Sequence, residues 1–138
     1  IMDKLLPAAA RQGYTPDAAL CPSNVPAGRP APWMIYQNMM QLGVYPTTAV
    51  VKVGDTLPDI EEGLNAGVWT IGVTQTGNEL GLNAAEVGAL SSQKLQPRLH
   101  AIEQRLLEAG AHYVVPSIAD VPAVLIAIET RLQLGEQP

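Results

Sequence analysis

The 138-residue sequence contains a single cysteine, Cys21, so an internal disulfide is excluded and a reducing, cytoplasmic setting is expected. Histidine is almost as scarce. His100 and His112 fall in different predicted elements with no ligand spacing, which argues against a structural zinc site. Basic runs are absent and the net charge is −5, so nucleic acid is not an expected partner. A small anionic substrate stays compatible, because one arginine or a bound cation can reverse the field at a site. No apolar run approaches the roughly 18 residues that a membrane span needs, and no signal peptide is visible. Internal repeats and low-complexity tracts are also missing. With 47% hydrophobic and 15% charged residues, the chain reads as one globular domain with a real core.

Strand and helix signals alternate along it. The opening "MDKLLPAAARQG" reads as the end of a helix stopped by Gly13. "DAALCPS" (Asp17–Ser23) is a short apolar run bounded by prolines, predicted as a strand. Asn24–Pro32 is a loop dense in Pro and Gly, and Pro32–Gly43 a helix with proline near its start and glycine at its end. "TAVVKVGD" (Thr48–Asp55) reads as a strand buried on both faces of a parallel sheet. A short helix "PDIEEGLNAG" and a strand Val68–Val73 follow, then a loop over Thr74–Asn83 and a short helix in "AAEVGAL". Leu99, Ile102 and Leu106 mark a helix over Pro97–Ala109 with Gly110 behind it. "AHYVV" is a strand. The closing helix begins with Ser117 and Asp120 placed as a capping box. The expected fold class is α/β, a parallel sheet with helices on both faces.

The chemistry is expected beyond the carboxyl ends of those strands, where open parallel sheets bind ligands. Asp55 ends the "VVKVG" run, directly after Gly54, where the backbone can turn sharply. Asp59 lies in the first turn of the next helix. It has a plain electrostatic explanation there, worth about 0.3–1 kcal/mol, with Thr56 as a cap. Two carboxylates at such a mouth also suit a hard cation such as Mg²⁺. Arg29, in the preceding loop beside Gly28, opens on the same sheet edge and has the forked donors that grip a phosphoryl group; the alternative is a solvated loop arginine. Lys52, inside the strand, reads as a structural or edge residue. Trp33, Tyr36, Met39 and Met40 read as the packing face and flanks of their helix, and Cys21 as a small core residue or a site-lining one.

Taken together, "VPAGRPAPWMIYQNMMQLGVYP" and "VKVGDTLPDIEEGLNAGVWTIGVTQTGNELGL" closely resemble the phosphonoacetaldehyde hydrolase (phosphonatase) family of the haloacid dehalogenase superfamily. "GDTxxD" alone would indicate only the superfamily. "VPAGRPxPW" with "EEGLNAGxWTxGV" points to the phosphonatase branch, because phosphatases of the superfamily usually have lysine where Arg29 stands. The resemblance implies a Rossmann-like three-layer α/β/α core. It also implies Mg²⁺-dependent hydrolysis of phosphonoacetaldehyde to acetaldehyde and phosphate, in the degradation of 2-aminoethylphosphonate. By motif Asp55 is the metal-binding acid, Asp59 its supporting acid and Arg29 the phosphate ligand.

The family pattern also contains parts that this sequence lacks. A first core strand with a nucleophilic aspartate, a helical cap with a Schiff-base lysine, and a second core strand are all missing. Residues 1–138 thus resemble the C-terminal part of the hydrolase core domain, and Ile1–Gly13 the helix that follows the second missing strand. Lys4, Lys52 and Lys94 inherit no Schiff-base role. In the superfamily's sheet order the missing strands separate Asp17–Ser23 from Thr48–Asp55. The resemblance further implies a homodimer of the complete protein, formed through the cap, and a small phosphonate as the binding partner. Two other readings are another phosphatase or phosphomutase of the superfamily, for which lysine at position 29 is expected, and a non-catalytic binding module.

Overall fold

The computed structural model of the chain describes residues 2–138; Ile1 lies outside the described residues. A three-stranded parallel sheet is built from β1 (Val51–Gly54), β2 (Trp69–Val73) and β3 (Tyr113–Val115), in that order. Val51 lies opposite Trp69 and Gly54 opposite Gly72; Ile71 lies opposite Tyr113 and Val73 opposite Val115. Parallel neighbours need long crossovers. α3 (Leu57–Ala66) provides the first, and α4 (Ala84–Ala89) with α5 (Ser92–Glu108) the second. α1 (Met2–Arg11) and α2 (Trp33–Leu42) precede the sheet, and α6 (Val121–Gln133) closes the chain.

The period of two in β2 separates the core into two faces. Trp69, Ile71 and Val73 pack with Val115 and with Val121 and Ile128 of α6. Ile60 of α3 and Ile102 and Leu106 of α5 form the other apolar layer with Leu80 and Ala111, against which Val114 packs. A third, smaller cluster joins Ile35 of α2 to Ala66 and Val68. The arrangement is the expected three-layer α/β/α fold with a partial sheet.

Several local expectations change. Asp17–Ser23 is not a strand: it runs irregularly into a 3₁₀ turn at Pro22–Asn24. Among the described residues no strand lies beside it to complete a ladder, and strand pairing is what satisfies an extended backbone. The strand expected over Thr48–Asp55 is shorter, because Thr47–Ala49 forms a 3₁₀ turn. β1 is also only half-buried, whereas every residue of β2 is buried. The helix expected from Pro97 begins instead at Ser92 and continues through the proline. The apolar stripe explains this, since Leu95 extends the Leu99–Ile102–Leu106 face upstream. Ser117 and Asp120 do form their reciprocal cap, with Ala119 N–H donating to Ser117 Oγ and Ser117 N–H to Asp120 Oδ2, but on a 3₁₀ turn before α6. Trp33 and Met40 are exposed, while Tyr36 and Met39 pack on the third cluster.

Both outer strands of the sheet keep one edge unpaired among the described residues. β1 pairs with β2 alone, and between its free edge, α2 and the irregular segment that includes Leu20 and Cys21 runs a groove of about 850 Å³. The groove lies between the irregular segment of residues 17–21 and β1, the two segments that further strands of the family pattern are expected to separate. Asn38 Oδ1 and Glu62 Oε1, both on residues that line it, are buried without a hydrogen-bond partner among the described residues.

Candidate functional site

A second hollow, of about 590 Å³, opens at the carboxyl end of β1, and Gly28, Arg29, Asp55, Thr56 and Asn78 line it. Its walls come from three separate turns. β1 ends at Gly54, where any side chain would collide with that of Asp59, so only glycine lets the helix start close against the strand. The next loop brings the Asn78 N–H to Asp55 Oδ2 at 2.7 Å. Gly77 makes this approach possible, since a Cβ there would stand 2.8 Å from that of Asp55.

Asp59 is 3% exposed and saturated with donors. Its Oδ1 accepts from Arg29 Nη1 at 2.6 Å and lies 3.1 Å from Lys52 Nζ. Its Oδ2 accepts from the Thr56 hydroxyl at 2.6 Å and from the Thr56 and Asp55 N–H groups at 3.2 and 3.4 Å. Burial by itself would raise the carboxyl pKa. The Thr56 hydroxyl, Arg29 and Lys52 outweigh it and hold the group at about 2, so Asp59 is an anion at every physiological pH. The helix-start explanation and the site explanation of Asp59 therefore coincide in one carboxylate. Asp59 in turn raises the Arg29 pKa and keeps the guanidinium charged.

Arg29 reaches this pair from the loop before α2, and its side chain is 44% exposed. The ion pair engages Nη1, and the guanidinium has further N–H donors with which to meet an anion in the hollow. Arg29, Asp55 and Asp59, all read from the sequence as site residues, are brought to one mouth. Cys21 stands apart in the groove wall. It is half-buried, with its thiol 3.0 Å from Asn24 Oδ1 and 3.1 Å from Ser23 Oγ, and is not the small core residue expected.

The residues fit Mg²⁺ as a single ligand rather than as a closed site. The ion takes one or two carboxylates and completes its shell with water and phosphate oxygens. Asp55 can provide one such carboxylate, whereas the donors around Asp59 already occupy both of its oxygens. Among the described residues no three His, Cys, Asp or Glu side chains converge to hold a metal.

Sequence reasoning passed over Glu62 and did not find its pairing with Lys52. Lys52 Nζ lies 2.7 Å from Glu62 Oε2, which extends the Arg29–Asp59 pair into a chain of four charges. The signal was present: Asp59 and Glu62 are three residues apart on the helix face that also carries Ile60 and Gly63.

No family model matches the chain. It is 52% identical over all 138 residues to a phosphonoacetaldehyde hydrolase of Syntrophobacter fumaroxidans, of which it covers 50%. A crystal structure of a phosphonoacetaldehyde hydrolase-like protein from Oleispira antarctica superimposes with a TM-score of 0.97 at 46% identity, over 99% of this chain and 50% of that one. A conserved haloacid dehalogenase-like protein of Agrobacterium tumefaciens shares the fold at a TM-score of 0.66 and 23% identity, over 93% of this chain and 50% of its own. The chain thus spans about half the length of the curated relatives it matches.

Proposed function

The chain belongs to the phosphonoacetaldehyde hydrolase family, and we propose that it provides the phosphate and metal half of a phosphonatase active site. In this reading the whole protein cleaves the C–P bond of phosphonoacetaldehyde, giving acetaldehyde and phosphate. The observation that carries it is the Arg29–Asp59 ion pair beside Asp55 at the carboxyl end of β1, with arginine rather than lysine at position 29.

Each residue has a distinct task. Arg29 binds the phosphoryl oxygens with the donors that Asp59 leaves free, and its planar fork keeps the group from rotating. Asp59 fixes that guanidinium and ties down the turn at Asp55–Thr56. Asp55, oriented by the Asn78 N–H, is a ligand for Mg²⁺, which when bound offsets the negative charge of the transferring group. The nucleophilic acid and the Schiff-base lysine that the family resemblance implies are not among these residues, nor is the cap through which a homodimer is expected. Residues 1–138 are then the C-terminal part of the hydrolase core.

Acetaldehyde release by the full-length protein tests the reading, followed through NADH consumption by an added alcohol dehydrogenase. Turnover of phosphonoacetaldehyde that stops when EDTA removes Mg²⁺ is expected. Phosphate release from simple phosphate esters without acetaldehyde from the phosphonate would identify a phosphatase instead. Binding of phosphate with no turnover of either class would identify a binding module.

A further inference from the structure

Lys52 has no task in that chemistry, yet it stands between two acids. It lies within β1 with its side chain 20% exposed and its ammonium shared by Glu62 Oε2 and Asp59 Oδ1. Both acids project from one face of α3 toward the strand. Glu62 is 1% exposed, and its Oε1 has no partner among the described residues. A carboxylate so deep is costly unless a cation answers its charge. Lys52 is that cation.

The two ion pairs meet at a single atom. Arg29 and Lys52 both approach Asp59 Oδ1, Arg29 at 2.6 Å and Lys52 at 3.1 Å. An ammonium is a compact, mobile point charge, and with one acid in reach it would move onto that acid. Glu62, at 2.7 Å, is the nearer counter-charge and holds the ammonium to its own side. The shorter bond to Asp59 is then left to Arg29, whose guanidinium is fixed through Nη1 with its remaining donors left for an anion.

We propose that Lys52 and Glu62 form a positioning pair that keeps Asp59 Oδ1 available to Arg29 and so sets the protein's affinity for a phosphoryl group. The proposal rests on the reading of Arg29 as the phosphate ligand. Neither Lys52 nor Glu62 lines the hollow in which the anion would sit.

Inorganic phosphate is the probe, titrated calorimetrically into the full-length protein with Mg²⁺ present. Glu62→Gln keeps shape and an oxygen for Lys52 but removes the charge, so the ammonium turns to Asp59 and competes with Arg29. Phosphate affinity is expected to fall about tenfold, the scale of one charge-assisted hydrogen bond. Adding Lys52→Met to Glu62→Gln removes the competitor, and affinity should return to within about threefold of the starting protein, since coupled neighbours are not additive. Urea midpoints of both variants separate this role from a merely structural one, which would lower and restore stability together with affinity; loss of affinity at an unchanged midpoint is expected in Glu62→Gln.

Unchanged phosphate affinity in Glu62→Gln, or a double variant as weak as the single one, would overturn the pairing. If Glu62→Gln does not fold, the double variant decides alone: near-native affinity supports the proposal and a tenfold loss, about 1.4 kcal/mol, defeats it. Arg29→Ala, measured alongside, separates the two layers of inference. Unchanged affinity in Arg29→Ala removes Arg29 as the ligand and the proposal with it. Loss there, with none in Glu62→Gln, removes only the positioning pair.

Discussion

β1 and β2 are adjacent strands of similar apolar sequence, "VKVG" and "WTIGV", yet they occupy different environments. β2 has a partner on both edges and helices on both faces, and all five of its residues are buried. β1 has one partner, and all four of its residues are half-buried. Burial is a property of neighbours more than of composition. The half of the molecule around β2, β3, α5 and α6 is the more closed: it holds the two larger apolar clusters, although β3 is itself an outer strand with only Val115 buried. The half around β1, α2 and the irregular segment before it is open, and there the candidate site lies.

The largest expected effect exploits that asymmetry directly. The 138-residue chain by itself should release no acetaldehyde and should associate or partly unfold rather than remain a stable monomer. Each unmet buried backbone group costs about 1–3 kcal/mol, and a domain's whole stability is only about 5–15 kcal/mol. Light scattering on purified chain, with hydrogen exchange, provides the check: slow exchange in β2 and fast exchange in β1 are expected. A monodisperse monomer with equal protection in both strands would erase the contrast.

Within the open half, Asp55→Asn in the full-length protein should abolish Mg²⁺-dependent turnover, because the site has few carboxylates with which to hold the ion. Steady-state kinetics across a Mg²⁺ titration would show it, and near-normal activity at ordinary Mg²⁺ would remove Asp55 from the metal. Arg29→Lys should come next, with kcat/KM lowered by about ten- to a hundredfold, since the charge survives but the forked geometry does not. Unchanged kcat/KM for phosphonoacetaldehyde would return Arg29 to the status of a solvated loop residue.

In the closed half, Ile71→Ala should destabilise the full-length protein by about 2–5 kcal/mol, the range for emptying a buried site. Val51→Ala on the half-buried strand should cost less, about 1 kcal/mol. Urea midpoints compare the two directly, and equal losses would mean that β1 is buried as deeply as β2 once the remainder of the protein is present.

Acid should divide the halves more gently. Burial and then the charge of Arg131 lower the pKa of His112, whose Nδ1 accepts from the Thr70 N–H at 3.0 Å. The unfolded chain therefore binds more protons below about pH 6.5, and the stability His112 contributes is complete above that value and lost as pH falls through the lowered one. Asp59 has the same sign in a lower window: its contribution is present above about pH 4 and lost as pH falls toward its folded value of about 2. Stability measured from pH 7 to 5 should decline less in His112→Gln than in the unsubstituted protein, and an identical decline would remove His112 as the cause.

The same division explains what could be read in advance. The order of helices and strands after Pro32, the parallel sheet, both crossovers and the acids at the end of β1 were legible because they depend on local signals. Period-two and helical spacings, a glycine before Asp55 and a cap before α3 each act over a few residues. The strand expected at Asp17–Ser23 failed because a strand is defined by its neighbour, and none lies beside it among the described residues. Pro97 misplaced the start of α5 because the apolar face through Leu95 outweighs the missing N–H. Lys52 reads as a structural or edge residue, and it does lie on an outer strand; its partners could not be read, since nothing local marks a lysine whose acids lie on the next helix.

By itself the sequence determined the α/β class, the family and the three residues at the mouth of β1, since local periodicity and linear motifs carry all of these. Only the tertiary structure decided that β1 has a free edge, that Asp59 is consumed by its donors, and that Lys52 and Glu62 stand behind Arg29. Those facts depend on which groups approach within about 3 Å across the fold, the range over which hydrogen bonds and close ion pairs act, and spacing along the chain does not encode that range.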